Sequence, residues 1–208
     1  MKKTGSRTGD FPLVCIGGAS ADVDDYTNLI RKLPADLGIA IVIVNHLSLV
    51  NDLLLEALPG CTDMLVDLIS DRMPVQPNHI YISPEEQDLS LLDGQFRLKA
   101  TSKPMGWPDV ISLFLRSLSR NWHGQLVAVI YSGYDGDGAS ALSEVKAVGG
   151  ITIALRIEMS GQPDMPLSAI ASGHVDFILS IEGIAKEIER TAIAAKAQVS
   201  LAKEASVI

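Results

Sequence analysis

Three short runs of apolar residues constrain the fold of this chain most strongly. They cover residues 13–17, 39–44 and 126–130, and they are rich in Val and Ile. A strand that is apolar at every position is buried on both faces, as in a parallel sheet covered by helices. Between and after the runs, residues 22–33, 52–58, 109–120 and 139–148 carry apolar side chains at helical spacing. This alternation predicts an α/β fold with a doubly wound, mostly parallel sheet.

The middle of the chain changes character. Residues 66–69, 79–83, 88–92 and 95–99 form short strand-like segments separated by turn residues, and Asp93-Gly94 is a strong hairpin signal. We predict that this part is an antiparallel hairpin insert in the parallel sheet. Strands at 151–155 and 175–179 and a helix from 182 to about 202 complete the pattern. The predicted organisation is a disordered leader over 1–10, one domain over 11–190 and a C-terminal helix extension over 191–208.

Composition excludes several classes of protein. Of the 208 residues 47% are hydrophobic and 20% are charged, which is typical of a folded chain with a full core. The net charge of −8 opposes binding to nucleic acid and to anionic membrane surfaces. No apolar stretch approaches the roughly 18 residues of a membrane span. With two cysteines and no metal-ligand spacing, the sequence predicts a cytoplasmic protein without cofactor or metal.

Reactive side chains follow three of the predicted strands. Residues 132–138 (SGYDGDG) contain Asp137, His46 ends the second strand, and Ser20 follows the first. Ligands and catalytic groups gather at the carboxyl ends of strands in open α/β sheets. A hydroxyl, an imidazole and a carboxylate there are the set used for hydrolysis by a serine nucleophile. The alternatives are a Ser20 that only caps the next helix, a structural His46 and a glycine turn around Asp137.

These segments, in this order, resemble the methylesterase domain of the chemotaxis protein CheB, in the variety fused to chemotaxis methyltransferases. The resemblance runs from Phe11 to about Glu187. It is carried by the strand at 11–17, VNHL at 44–47, MPVQPNHIYI at 73–82, SGYDGDG at 132–138 and AIASG at 169–173. It implies a CheB-like fold and the hydrolysis of glutamate methyl esters on chemoreceptors by serine, histidine and aspartate. His46 would be the base and Asp137 the acid that orients it, with Gly18, Gly133, Tyr134 and Met165 lining the cleft.

The nucleophile turn departs from the family pattern, Ile-Gly-Ala-Ser followed by a Thr or Ala and two glycines. Alignment without gaps puts Ala19 at the serine position, and Ser20 reaches it only if a bulge at Gly17-Gly18 shifts the turn by one residue. Three Asp residues in the next helical turn (22, 24 and 25) oppose an oxyanion at the same amides. Leu155-Arg156 replaces a polar Gln-Asp pair, and Leu167 stands where an arginine commonly follows Met-Pro.

Two main hypotheses about function follow. In the first, the chain is a protein-glutamate methylesterase domain that uses Ser20, His46 and Asp137. In the second, it is an inactive homologue that acts as a signalling or binding module. A weaker third is hydrolysis of another ester or amide by water activated by His46. The expected partner is the cytoplasmic region of a methylated chemoreceptor or a related signalling protein, and the receiver domain that normally precedes this fold is absent from the chain.

Overall fold

A seven-stranded parallel sheet forms the centre of the protein. The computed structural model describes residues 9, 11–19, 23–45, 48–102, 109–161 and 163–205. The strands are β1 (Leu13–Gly18), β2 (Ala40–Asn45), β3 (Leu65–Leu68), β4 (His79–Ile82), β5 (Gln87–Leu92), β6 (Gln95–Ala100), β7 (Leu126–Ile130), β8 (Ile151–Leu155) and β9 (Phe177–Leu179). The order in the sheet is β3-β4-β2-β1-β7-β8-β9, while β5 and β6 pair separately as an antiparallel hairpin.

Helices cover both faces of this sheet. They are α1 (Val23–Ile30), α2 (Ser48–Ala57), α3 (Val110–Asn121), α4 (Leu142–Ala147), α5 (Asp164–Ala171) and α6 (Ile181–Ala205). Buried side chains of α1, α2 and α6 share one core, and those of α3, α4, α5 and the hairpin share the other. No helix in the described part of the chain is long and apolar enough to cross a membrane.

Two cores explain why the strands are apolar at every position. In β1, Val14 and Ile16 belong to the core under α1, whereas Leu13 and Cys15 belong to the core under α3. Successive side chains of a strand point to opposite faces, so a strand between two helical layers buries all of them. The predicted fold class, a doubly wound and mostly parallel sheet with an antiparallel hairpin, is confirmed.

The predicted antiparallel insert was too large. Only β5 and β6 form it, and both residues of its turn, Asp93 and Gly94, have positive φ, as a type I′ hairpin requires. β4 pairs in parallel with β2, and the edge strand β3 pairs in parallel with β4. These two strands were misassigned because four-residue strands have too little periodicity to reveal their direction. The sequence prediction also missed α5.

The strand order creates a crevice between β1 and β7. From β1 the chain adds β2, β4 and β3 on one side, and later β7, β8 and β9 on the other. Helix α1, which follows β1, and helix α4, which follows β7, lie on opposite faces of the sheet. Such a switch point opens a crevice at the carboxyl ends of the two strands, where α/β proteins bind their ligands.

The leader predicted for residues 1–10 lies outside the described residues except for Gly9. Its disorder therefore stays a prediction, as do the proposed domain boundaries. The segment after residue 190 continues α6 as far as Ala205.

Candidate active site

Asp137 lies in the loop after β7 and is held against the first turn of α3. Its side chain is 6% exposed. Its carboxylate accepts hydrogen bonds from the Ile111 amide (2.8 Å), the Ser112 amide (2.9 Å), the Ser112 hydroxyl (2.7 Å) and the Gly138 amide (2.7 Å). The first amides of a helix have no acceptor within the helix, so Asp137 caps α3 from a distant loop. The acid is thereby fixed at the crevice.

Burial and hydrogen bonding have opposite effects on this carboxyl group. Burial raises the pKa of Asp137 above its ordinary value, while the hydrogen bonds from Ser112, Ile111 and Gly138 lower it. Burial, and secondarily the charge of Asp137, also raise the pKa of the Cys15 thiol on β1. The charge of Asp137 therefore acts on the core beneath the end of β1. Partial positive charge at the N-terminus of α3 favours the ionised acid.

The end of β1 leads into the turn that the sequence predicts to carry the nucleophile. The β1–β2 pairing joins Leu13 to Ala40 and continues without a break to Gly18 and Asn45. Ala19, which follows, is 2% exposed, and its amide donates to the Ser132 carbonyl at 2.7 Å. Its Cβ lies 2.8 Å from the position that a Cβ on Gly133 would occupy. The Ala19 side chain therefore faces the loop that carries Asp137.

A buried tyrosine fills the space behind this turn. A Cβ on Gly18 would lie 2.1 Å from the Tyr26 hydroxyl oxygen, so the tyrosine occupies the space that a side chain there would need. The Tyr26 hydroxyl accepts a hydrogen bond from the Asn45 side-chain amide at 3.2 Å. Asn45 is the last residue of β2 and precedes His46 in the sequence. Tyr26 thus connects the ends of the first two strands.

One wall of the crevice is formed by the β7–α4 loop packed on α5. The Met165 amide donates to the Gly133 carbonyl at 3.1 Å, and the Met165 sulfur fills the space beside Gly133. Met165 is buried, whereas Tyr134 is 54% exposed. Tyr134 precedes Asp137 by three residues in the same loop, and its exposure leaves an aromatic side chain there that a ligand can reach.

The described residues bring together five of the predicted site positions. Asp137, Gly133, Tyr134 and Met165 lie on or against the β7–α4 loop, and Ala19 faces that loop from β1. Gly18 lies one residue further back, against Tyr26. Ser20 and His46 lie outside the described residues, so their catalytic roles stay predictions.

Sequence reasoning missed two supporting residues, Ser112 and Tyr26. Ser112 stands in a helix that is separated from Asp137 by 25 residues, and no local pattern links the two. Tyr26 was assigned only to the apolar face of α1.

Comparison with known families and structures gives a single answer. A family model described as CheB methylesterase matches residues 14–188. The chain belongs to the CheB methylesterase family. The crystal structure of the Thermotoga maritima CheB methylesterase catalytic domain superposes with a TM-score of 0.78 at 26% identity, over 86% of this chain and 98% of that one. The CheB-like fold expected from the sequence is therefore confirmed.

Curated relatives carry names for two related hydrolytic reactions. Protein-glutamate methylesterase/protein-glutamine glutaminase 2 of Burkholderia lata is 32% identical over 183 residues, which are 86% of this chain and 54% of that protein. The corresponding enzyme of the group 3 operon of Rhizobium meliloti is 31% identical over 80% of this chain and 47% of its own length. The chain spans about half the length of these CheB relatives.

Proposed function

We propose that this chain is a chemotaxis-type protein-glutamate methylesterase domain that acts in the cytoplasm. Its substrates would be the glutamate methyl esters on the cytoplasmic region of chemoreceptors. The observation that carries the proposal is the carboxylate of Asp137, buried and fixed at the crevice between β1 and β7. β2, whose end leads to His46, is the neighbour of β1 in the sheet. β7, whose loop carries Asp137, is the neighbour of β1 on the other side, so the acid and His46 belong to the loops that flank the end of β1. An acid that orients an imidazole is the pair that activates a hydroxyl nucleophile.

The reaction divides between three side chains. His46 removes the proton from the Ser20 hydroxyl as the oxygen attacks the ester carbonyl carbon. The C–OCH3 bond then breaks, and His46 returns the proton to the leaving oxygen, which departs as methanol. Water attacks the acyl-serine with His46 again as base, releasing glutamate and restoring Ser20. Asp137 stabilises the imidazolium that forms in both steps.

One observation favours a second candidate function, binding of the methylated receptor without turnover. Ser20 becomes the nucleophile only if the chain bulges at Gly17-Gly18, and the β1–β2 register is continuous through Gly18. A continuous register supports the gapless alignment, in which Ala19 takes the nucleophile position. A site without its nucleophile retains only binding and oxyanion effects, roughly 10³–10⁴-fold over water.

Methanol release from a peptide containing glutamate methyl ester separates the two candidates. The intact chain is compared with Ser20→Ala, His46→Ala and Ala19→Ser. For the esterase, Ser20→Ala abolishes turnover and His46→Ala lowers it roughly 10²–10⁴-fold. If the chain is a binding module, the intact chain and His46→Ala release methanol at the same rate. Ala19→Ser then gains methanol release, and this gain requires His46. Turnover by the intact chain that survives both Ser20→Ala and His46→Ala would refute the proposed mechanism.

The names of the relatives also include protein-glutamine glutaminase. Ammonia release from a glutamine-containing peptide, measured with the same variants, tests this second reaction. A pull-down with a methylated receptor fragment tests the partner, which both candidate functions require. A related signalling protein in place of a receptor is the alternative partner, and capture of neither would contradict both candidates.

A further inference from the structure

Ser112 lies where it can control the orientation of the Asp137 carboxylate. Ser112 is 3% exposed in the first turn of α3, and its hydroxyl donates to Asp137 Oδ1 at 2.7 Å. We propose that Ser112 is a positioning residue of the active site, and that Ser140 and Arg116 hold its hydroxyl in the orientation that Asp137 needs. The inference rests on the proposed role of Asp137 as the acid that orients His46.

The four donors are distributed unequally over the two oxygens of Asp137. Oδ1 accepts from the Ser112 amide, the Ser112 hydroxyl and the Gly138 amide, while Oδ2 accepts only from the Ile111 amide among the described residues. A carboxylate offers about four acceptor positions, two on each oxygen. Oδ1 is therefore saturated, and the remaining position is on Oδ2. An imidazole N–H that pairs with Asp137 would bind at Oδ2.

A chain of hydrogen bonds fixes the direction of the Ser112 proton. The Ser112 oxygen accepts from the Gly138 amide at 2.9 Å and lies 3.3 Å from the Ser140 hydroxyl oxygen. Ser140 in turn accepts from Arg116 Nη2 at 2.9 Å. An ionised carboxylate can only accept, so the single Ser112 proton is directed to Asp137, and in the bond between the two hydroxyls Ser140 is then the donor. Every proton in the chain points toward the carboxylate.

The outer end of this chain is anchored at the surface. Arg116 Nε donates to Glu144 Oε1 at 2.9 Å, so the ion pair links α3 to α4. Hydrogen bonds that run in one direction polarise one another, which strengthens the last bond to the buried acid. The Ser112–Ser140–Arg116 chain therefore stabilises the ionised form of Asp137 and keeps Oδ1 turned toward α3.

This role differs from capping of the helix. The amides of Ile111 and Ser112 supply the capping bonds, and both remain when the Ser112 hydroxyl is removed. Ser112→Ala consequently leaves the cap in place and removes only the hydroxyl that donates its proton to Asp137. A purely structural Ser112 would affect stability without changing the ionisation of Asp137.

The decisive experiment is a carbon-13 NMR titration of the side-chain carboxyl groups in the full chain. Asp137→Asn assigns the Asp137 signal by removing it. Ser112→Ala is expected to raise the pKa of Asp137, and Ser140→Ala to raise it by less. Ser112→Thr, which keeps a hydroxyl, should restore the original titration. Ser119→Ala is the matched control, because the Ser119 hydroxyl lies on the same helix and, within the described part of the chain, donates only to the Leu115 carbonyl of that helix.

The titration requires no turnover, so its outcome is independent of the proposed esterase activity. An Asp137 signal that titrates identically in Ser112→Ala and Ser119→Ala overturns the inference. If Ser112→Ala does not fold, the titration of Asp137 in Ser140→Ala decides. Ser140 is exposed, and loss of its hydroxyl interrupts the same chain of hydrogen bonds. Where the chain hydrolyses methyl esters, Ser112→Ala should also lower kcat with little change in KM, and Ser112→Thr should restore it.

Discussion

The contact between Gly18 and Tyr26 predicts a strong energetic coupling beneath the nucleophile turn. Gly18→Ala places a methyl carbon 2.1 Å from the Tyr26 hydroxyl oxygen. The tyrosine cannot withdraw easily, because it is fully buried and its ring stacks on Tyr131 with centroids 5.4 Å apart. Overpacking of this kind costs about 1–3 kcal/mol of unfolding free energy. Tyr26→Phe alone loses the bond from Asn45 and costs roughly 1 kcal/mol.

The double variant Gly18→Ala/Tyr26→Phe should be more stable than the sum of the two single losses of unfolding free energy implies. With the hydroxyl removed, the nearest ring carbon of residue 26 lies 3.3 Å from the new methyl group, a distance that small shifts accommodate. Tyr26→Phe therefore relieves most of the strain of Gly18→Ala, and the coupling between them should reach about 1–3 kcal/mol.

Urea unfolding of the wild type, the two single variants and the double variant measures the coupling. Gly60→Ala is the control, because no atom of the described residues lies within 4 Å of a Cβ at Gly60. Effects that add within about 0.5 kcal/mol would refute the contact, since uncoupled sites behave that way. A Gly60→Ala variant as unstable as Gly18→Ala would show that loss of glycine itself, and not the tyrosine, is responsible.

Three further predictions follow from the same packing. Asp137→Ala should lower the unfolding free energy by about 1–3 kcal/mol in urea titrations, since buried amides of α3 lose their acceptor, and a neutral change would contradict the distant cap. Gly133→Ala should lower the melting temperature because its methyl group meets the Met165 sulfur at 2.1 Å and the Ala19 Cβ at 2.8 Å. Adding Met165→Ala relieves only the first of these contacts, so the double variant should be more stable than the sum of the two single effects implies, and additive effects would contradict the contact with Met165. Burial would raise the pKa of Asp176, but hydrogen bonds from Lys146 and Thr152 hold it below its ordinary value. The stability difference between the wild type and Asp176→Asn should therefore be constant above about pH 5 and be lost progressively at lower pH, and a difference that grows on acidification would contradict this.

The main sheet was predictable because strands that are buried on both faces are apolar at almost every position. β1, β2 and β7 are apolar at almost every position, and no surface strand has that composition. Helix α5 was missed because Pro166 lies inside it. The third position of a helix tolerates proline, since its amide would have no partner in the helix.

The site was predictable only as far as local motifs extend. The glycine-rich loop and the family resemblance predicted Asp137 as the acid of the candidate site, a role that stays a prediction. The donors that hold it come from α3, and they depend on how α3 packs over β1 and β7 in three dimensions. The same holds for Tyr26 behind Gly18, because its hydroxyl is hydrogen-bonded to Asn45, which lies 19 residues away in the sequence. Helical periodicity predicts that Tyr26 is buried but not what its hydroxyl contacts.

The central claim is that the imidazole of His46 pairs with the carboxylate of Asp137 at the crevice, and both candidate functions assume it. Proton NMR titration of the four histidines in the wild type and in Asp137→Asn tests this claim most directly, with His46→Ala to assign the signal. A paired carboxylate stabilises the imidazolium, so Asp137→Asn should lower the pKa of His46 and leave His79, His123 and His174 unchanged. A His46 signal that titrates identically in both proteins would contradict the pairing and, with it, the proposed active site.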